Sequence, residues 1–352
     1  MPAPKEITAW QMDAPGQPLV KRTLPVPKLG AGDVLVQVAG CGLCHTDLSF
    51  LYGGVKTKKT APLTLGHEVA GTIVDAGAVQ QKLVGKSVIV PAVLPCGECE
   101  LCKAGRPTAC RAQIMPGNDL DGGFATHLAV PGRFVCPVDP GTYELWELGV
   151  VADAVTTPFQ AAERAGIKAG DVAVVIGTGG IGTYGVQICA AKGATVIAVD
   201  VDAAKLDAIR NFGAAATVNV TGLDSKSIKD AIRAEAKKLK VSSNAWKVFE
   251  MSGTLPGQAT AYELITFAGV VGFIGFTMEK STVRLGNLMA FDATLFGNWG
   301  CAPELYGPAA AMVLSGKVQI RPFSKRFPLD QINEVIEKSR AHQLKERPVL
   351  VP

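Results

Sequence analysis

Apolar positions along the chain follow two rhythms, and the change between them falls near residue 155. Before it, short runs rich in β-branched residues at 33–38, 69–74 and 87–90 are punctuated by Gly and Pro. That spacing predicts short strands in a compact, mostly-β core. After it, runs of two kinds alternate. Residues 172–176 are apolar throughout, 182–192 and 203–212 read as helices, and 195–200 reads as a second strand. Strand, helix and strand in that order predict a βαβ unit of a parallel sheet. Further strands are expected at 246–250, 270–273 and 293–296. Beyond Gly300 the pattern becomes helix, Pro-marked turn, helix and a final strand at 348–351.

Composition narrows the class. The chain has 352 residues, 48% of them hydrophobic and only 19% charged, which is a globular rather than a disordered balance and enough length for roughly two domains. A net charge of +4 is too weak a field to imply a nucleic-acid partner. No stretch approaches the roughly 20 uninterrupted apolar residues of a membrane helix. Nine cysteines in a long chain that opens Met-Pro-Ala-Pro-Lys-Glu, without an apolar leader, fit a reducing cytoplasm better than a secreted disulfide framework.

The turn inside the βαβ unit reads Gly177-Thr178-Gly179-Gly180-Ile181-Gly182, and Asp200 ends the next strand. A Gly-x-Gly-x-x-Gly pattern alone is weak, but here it follows a strand, opens a helix and has an acidic residue downstream. Gly177 permits the tight turn, Gly179 lets backbone approach a pyrophosphate, Gly182 allows close helix packing, and Gly180 and Ile181 complete the loop. Asp200 is expected to accept hydrogen bonds from adenosine ribose hydroxyls and to repel a 2′-phosphate. That favours NAD over NADP. No Arg follows in 201–205, and Lys205 closes that stretch as a further cofactor candidate.

Cys96, Cys99, Cys102 and Cys110 form a Cys-x2-Cys-x2-Cys-x7-Cys cluster. Four thiolates fill a tetrahedron, so this is expected to be a closed structural zinc site that staples a lobe over 95–111. A second zinc, with an open position, is plausible on Cys44 and His67. His is scarce in the chain, and an isolated His is more often a satisfied core residue than a ligand.

In the segment 40–47 (Gly-Cys-Gly-Leu-Cys-His-Thr-Asp), Gly66-His67-Glu68, the four-Cys lobe and 177–182, the sequence resembles the zinc-dependent medium-chain alcohol dehydrogenases, essentially from end to end. The resemblance implies an α/β fold: a GroES-like, mostly-β catalytic domain over 1–155 and 297–352, and a Rossmann, doubly wound parallel-sheet NAD domain over 156–296, with the active site in the cleft between. It implies catalytic-zinc ligands at Cys44, His67 and Asp153, where many members have Cys in the third place. Glu68 matches an acidic residue that approaches or ligates the metal, and a buried ion-pair partner is the equal alternative. Thr46 matches the hydroxyl that takes the alcohol proton. Ser49 stands where many members continue the relay through His. Asp47 is expected to orient the loop, and His45 and Arg347 to contact the pyrophosphate.

Loops at 93–95 and 112–125 most resemble 6-hydroxycyclohex-1-ene-1-carbonyl-CoA dehydrogenases of anaerobic aromatic-ring degradation, which oxidise a ring hydroxyl β to the thioester. Lys56, Lys58 and Lys59, with Met115 and Asn118, are the substrate candidates, although a Lys-rich loop is more often simply solvated. The alternatives are a simple secondary, allylic or aromatic alcohol without CoA, a zinc-free enoyl or quinone reductase on the same scaffold, and a non-catalytic zinc module. The expected cofactors are two zinc ions and NAD. The expected partner is a small alcohol, with neither nucleic acid nor membrane. A homodimer or homotetramer is expected through a sheet edge at 270–278.

Overall fold

A computed structural model describes residues 4–352, which fold as two compact units. The first comprises Met1–Thr156, Gly300–Leu314 and Ile320–Pro352, and the second Thr157–Trp299 with Ser315–Gln319. The C-terminal part is therefore more divided than the expected 297–352, because residues 315–319 belong to the second unit. No helix among the described residues is long and apolar enough to cross a membrane.

In the first unit, Asp33–Gly42 is the central strand, running antiparallel to Glu68–Ala76, His127–Pro131 and, at its end, Arg347–Val351. The sheet continues on one side through Ser87–Val90 to Cys136–Pro137 and on the other to Ser324–Pro328. Val34, Val36 and Val38 alternate along the central strand and pack with Val69, Ile73, Val88 and Val90. Burial of each such side chain contributes about 1.5–3 kcal/mol. A separate three-stranded sheet joins Val20–Pro25, Glu6–Met12 and Leu63–Thr64.

The second unit is a six-stranded parallel sheet in the order Ala214–Asn219, Thr195–Asp200, Val172–Ile176, Lys247–Glu250, Val270–Phe273, Thr294–Gly297. All five residues of Val172–Ile176 are buried, which explains their unbroken apolar run. The order reverses between that strand and Lys247–Glu250, and ligands of such sheets bind outside the carboxyl ends of the strands at this point. Two elements carried no clear signal: Ala214–Asn219, whose Ala-Ala-Ala start lacks β-branched residues, and the helix Ser225–Lys238. The expected free edge at 270–278 is corrected. Val270–Phe273 is hydrogen-bonded on both sides, and the outer strands are Ala214–Asn219 and Thr294–Gly297.

Candidate functional site

Among the described residues, two groups of Cys, His, Asp and Glu place their donor atoms within 4.8 Å of one another. The first is Cys96, Cys99, Cys102 and Cys110, with sulfurs 3.5 Å apart for Cys99 and Cys102, 3.8 Å for Cys99 and Cys110, and 3.9 Å for Cys96 and Cys102. Zinc–ligand bonds of about 2.0–2.3 Å put tetrahedral donors about 3.3–3.8 Å apart, so the four sulfurs fit one zinc ion. Backbone N–H groups of Glu98 and Cys99 donate to Cys96 Sγ and pull its thiol down to about 6. Desolvation and the neighbouring thiols push Cys102 up to about 12. Sulfurs this close cannot all ionise without a cation among them. From 96 to 110 only Cys110 is buried, so the lobe has almost no apolar core of its own.

The second group is Cys44, His67, Glu68 and Asp153. Cys44 caps the N-terminus of the helix His45–Leu51, His67 precedes the strand Glu68–Ala76, and Asp153 follows the helical turns of Leu145–Ala152. Asp153 Oδ2 lies 3.8 Å from Cys44 Sγ and 3.6 Å from His67 Nε2, again tetrahedral edge lengths. Buried Asp47 ties two of these segments together. Its Oδ2 accepts from Cys44 N at 3.0 Å and its Oδ1 from Gly66 N at 3.1 Å. Oδ1 also faces His67 Nδ1 at 3.4 Å, an ion-pair distance without hydrogen-bond alignment, and Nδ1 is otherwise unpartnered. Burial pushes the imidazole's pKa down, but the Asp47 and Asp153 carboxylates outweigh it, and the result is a strong rise. A buried imidazole held among anions and a thiol is the donor chemistry of a cation site. Thr46 Oγ1 lies 3.6 Å from Cys44 Sγ. Ser49 is spent on its own helix, donating to the His45 carbonyl at 3.0 Å.

Glu68 is completely buried, and both its oxygens accept from Arg347, one from Nε at 2.7 Å and the other from Nη2. Burial raises the Glu68 pKa, with Arg347 pulling against it, while the guanidinium is held charged. Arg347, expected to contact a cofactor phosphate, thus has Nε and Nη2 engaged by Glu68. Gly42 makes room for this pair, since a Cβ there would stand 2.1 Å from Glu68 Oε2. Nothing in the sequence links Gly42, Glu68 and Arg347. Buried Tyr306 was also missed. Its hydroxyl donates to the Ala152 carbonyl beside Asp153 and accepts from Ala92 N at 3.0 Å.

In the second unit, Gly177 has φ +86°, and a Cβ on Gly182 would lie 1.7 Å from the Gly177 carbonyl oxygen, so both must be glycine. A Cβ on Gly179 meets nothing within 4 Å, leaving open space where a pyrophosphate could approach. Gly180 and Ile181 lead into the helix Gly182–Ala191. The Asp200 carboxylate accepts from Thr178, Val201 and Asp202. Lys205 sits in the first turn of Ala203–Arg210 with Nζ 3.8 Å from Asp202 in a surface pair. His45 is exposed at the head of its helix.

The substrate candidates lie in two loops held to each other. Lys58 pairs with Asp119 at 2.8 Å, Lys59 pairs with Asp121, and Asn118 Oδ1 accepts from Lys58 N at 3.0 Å. Met115 is buried in the core. Lys58 and Lys59 thus have carboxylate partners in the neighbouring loop, and Lys56 is exposed with no carboxylate pair among the described residues.

Residues 30–140 match the alcohol dehydrogenase GroES-like domain, and residues 180–315 the zinc-binding dehydrogenase domain. An alcohol dehydrogenase of Geobacillus stearothermophilus is 30% identical over 327 residues, covering 92% of this chain and 93% of that one. The crystal structure of the alcohol dehydrogenase from Aeropyrum pernix superposes with a TM-score of 0.87 at 27% identity, covering 98% of this chain and 100% of the other. Acetophenone reductase from Geotrichum candidum in complex with NAD gives 0.86 at 25% identity, covering 99% and 98%.

Proposed function

Because the chain belongs to the zinc-type alcohol dehydrogenases of the medium-chain family, we propose that it oxidises a secondary alcohol to a ketone with NAD, and that the alcohol is an alicyclic hydroxyacyl-CoA. The observation that carries the reaction is the convergence of Cys44, His67 and Asp153 in a chain that also has the Gly177–Gly182 turn with Asp200. When bound, zinc supplies Lewis acidity to the alcohol oxygen and the nicotinamide supplies a hydride acceptor.

Cys44, His67 and Asp153 hold the metal and leave a fourth position open, while Asp47 fixes the two segments that bear Cys44 and His67. Thr46 Oγ1, beside Cys44, takes the alcohol proton. Asp200 holds the adenosine ribose and disfavours a 2′-phosphate. Glu68 stands among the metal donors with both its oxygens paired to Arg347. The CoA thioester is supported by the loops at 93–95 and 112–125 and by Lys56, which offers a cation to a phosphate. The zinc-bearing donor set is what a zinc-free reductase would leave without a purpose.

Metal analysis and an NAD-reduction screen on cyclic alcohols, free and as CoA esters, test this together. The expected result is two zinc ions per chain, falling to one in Asp153→Ala with loss of activity. A wild type with a single zinc, or one inert toward every alcohol, refutes the reaction. Lys56→Ala should raise KM for a CoA ester and leave KM for a free alcohol unchanged. A preference for free alcohols overturns the substrate alone.

A further inference from the structure

Asp200 is saturated before any ligand arrives. Its Oδ1 accepts from Val201 N at 2.7 Å and Asp202 N at 3.0 Å, and its Oδ2 from Thr178 N at 2.6 Å and Thr178 Oγ1 at 2.9 Å. A carboxylate offers about four lone-pair sites, so each is filled. Three of the donors are backbone N–H groups fixed by the turn and the strand end, and Thr183 Oγ1 pins the Thr178 peptide further by donating to its carbonyl at 2.8 Å. These three hold the carboxylate's orientation without help. The fourth donor is different in kind. It is a hydroxyl rotor on a side chain only 2% exposed, and it alone can turn away without unfolding the loop.

We infer that the Thr178 hydroxyl is a placeholder for an adenosine ribose hydroxyl on Asp200, and that it weakens dinucleotide binding by the hydrogen bond it must give up. This rests on the reading of 177–182 and Asp200 as the dinucleotide cradle. In the free protein the hydroxyl keeps a half-buried carboxylate satisfied. On binding, the ribose hydroxyl takes over the same lone pair, so the net gain is an exchange of one donor for another rather than a new bond. Thr178 is thus a residue that sets affinity, and with it the rate of release. Its effect is confined to a ligand with a free ribose diol, because a 2′-phosphate brings an anion where the carboxylate needs a donor.

The test is NADH, NADPH and ADP-ribose titration of the full-length wild type, Thr178→Val, Thr178→Ser and Thr178→Ala, with Thr178→Val repeated on Asp200→Ala. Thr178→Val should lower Kd for NADH and ADP-ribose about tenfold or more, the worth of one hydrogen bond to a charged group. Thr178→Ala, which also lacks the hydroxyl, should do the same if the Val variant does not fold. Thr178→Ser should stay near wild type, NADPH should gain nothing, and the gain should vanish on Asp200→Ala. Equal or weaker NADH binding by the hydroxyl-free variants, or a gain that survives on Asp200→Ala, overturns the inference alone. A wild type that binds neither NADH nor ADP-ribose overturns the cradle reading and this inference together.

Discussion

The Glu68–Arg347 pair gives the sharpest test of how the metal side of the molecule is held. Both side chains are almost wholly excluded from water, at 0% and 8% exposure, and the guanidinium fork meets both carboxylate oxygens. Arg347→Met strands a buried carboxylate near Asp153, and Glu68→Leu strands a buried guanidinium. Removing one partner of such a pair costs about 3–5 kcal/mol. Replacing both leaves no orphaned charge, so the double variant should fall well short of the sum, with a coupling of about 2–3 kcal/mol. Urea unfolding of the four proteins, followed by intrinsic fluorescence, measures this. Trp10 and Trp146 report on the first unit. Single-variant costs that add to within about 0.5 kcal/mol would refute the reasoning. So would an Arg347→Met protein of unchanged stability that binds NADH more weakly, the result expected if the arginine served a phosphate instead.

Two further outcomes follow from geometry already described. Cys102→Ala should remove one zinc equivalent and, since the lobe has so little apolar core, open the bonds after Lys103 and Arg111 to trypsin while the rest of the chain resists. Undiminished zinc content would contradict the four-sulfur cage. Gly182→Ala puts a carbon 1.7 Å from the Gly177 carbonyl and should cost NADH affinity at least about tenfold, together with a lower melting temperature. Gly179→Ala meets no protein atom, so its melting temperature should stay put while NADH binding weakens. Matching effects in both assays for the two variants would mean that the open space at Gly179 is not a ligand's.

Much of the second unit was legible because its physics is local. Val172–Ile176 and Thr195–Asp200 declare themselves as apolar runs entered from Gly170 and Gly193, and the turn between the first strand and its helix carries its own glycines. Ala214–Asn219 was hidden because an outer strand built on three alanines owes its conformation to a single neighbouring strand rather than to its residues. The edge was misjudged for a related reason. Val270–Phe273 looks the same in sequence whether or not Thr294–Gly297 pairs beyond it. At the metal donors, residue types and short motifs named Cys44, His67 and the four-Cys lobe, but what holds them is long-range. Glu68 and Arg347 are 279 residues apart, and Lys58 and Lys59 found carboxylates in a loop about which spacing is silent.

That separation bears on how the protein is made. Glu68 enters the growing chain early, on a strand whose sheet is completed by Arg347–Val351, and its ion-pair partner is Arg347. Until residue 347 has left the ribosome, the first unit can collapse only with that carboxyl protonated or unpaired, a state above the finished one. The second unit is complete by Gln319, and its buried Glu250 is bonded by Ser252 and Gly253 close by in the chain, so it can settle sooner. Synthesis therefore ends with the arrival of a single arginine that closes the sheet and neutralises its interior, so nascent chains stopped short of it should be marked for degradation rather than accumulate as half-active enzyme.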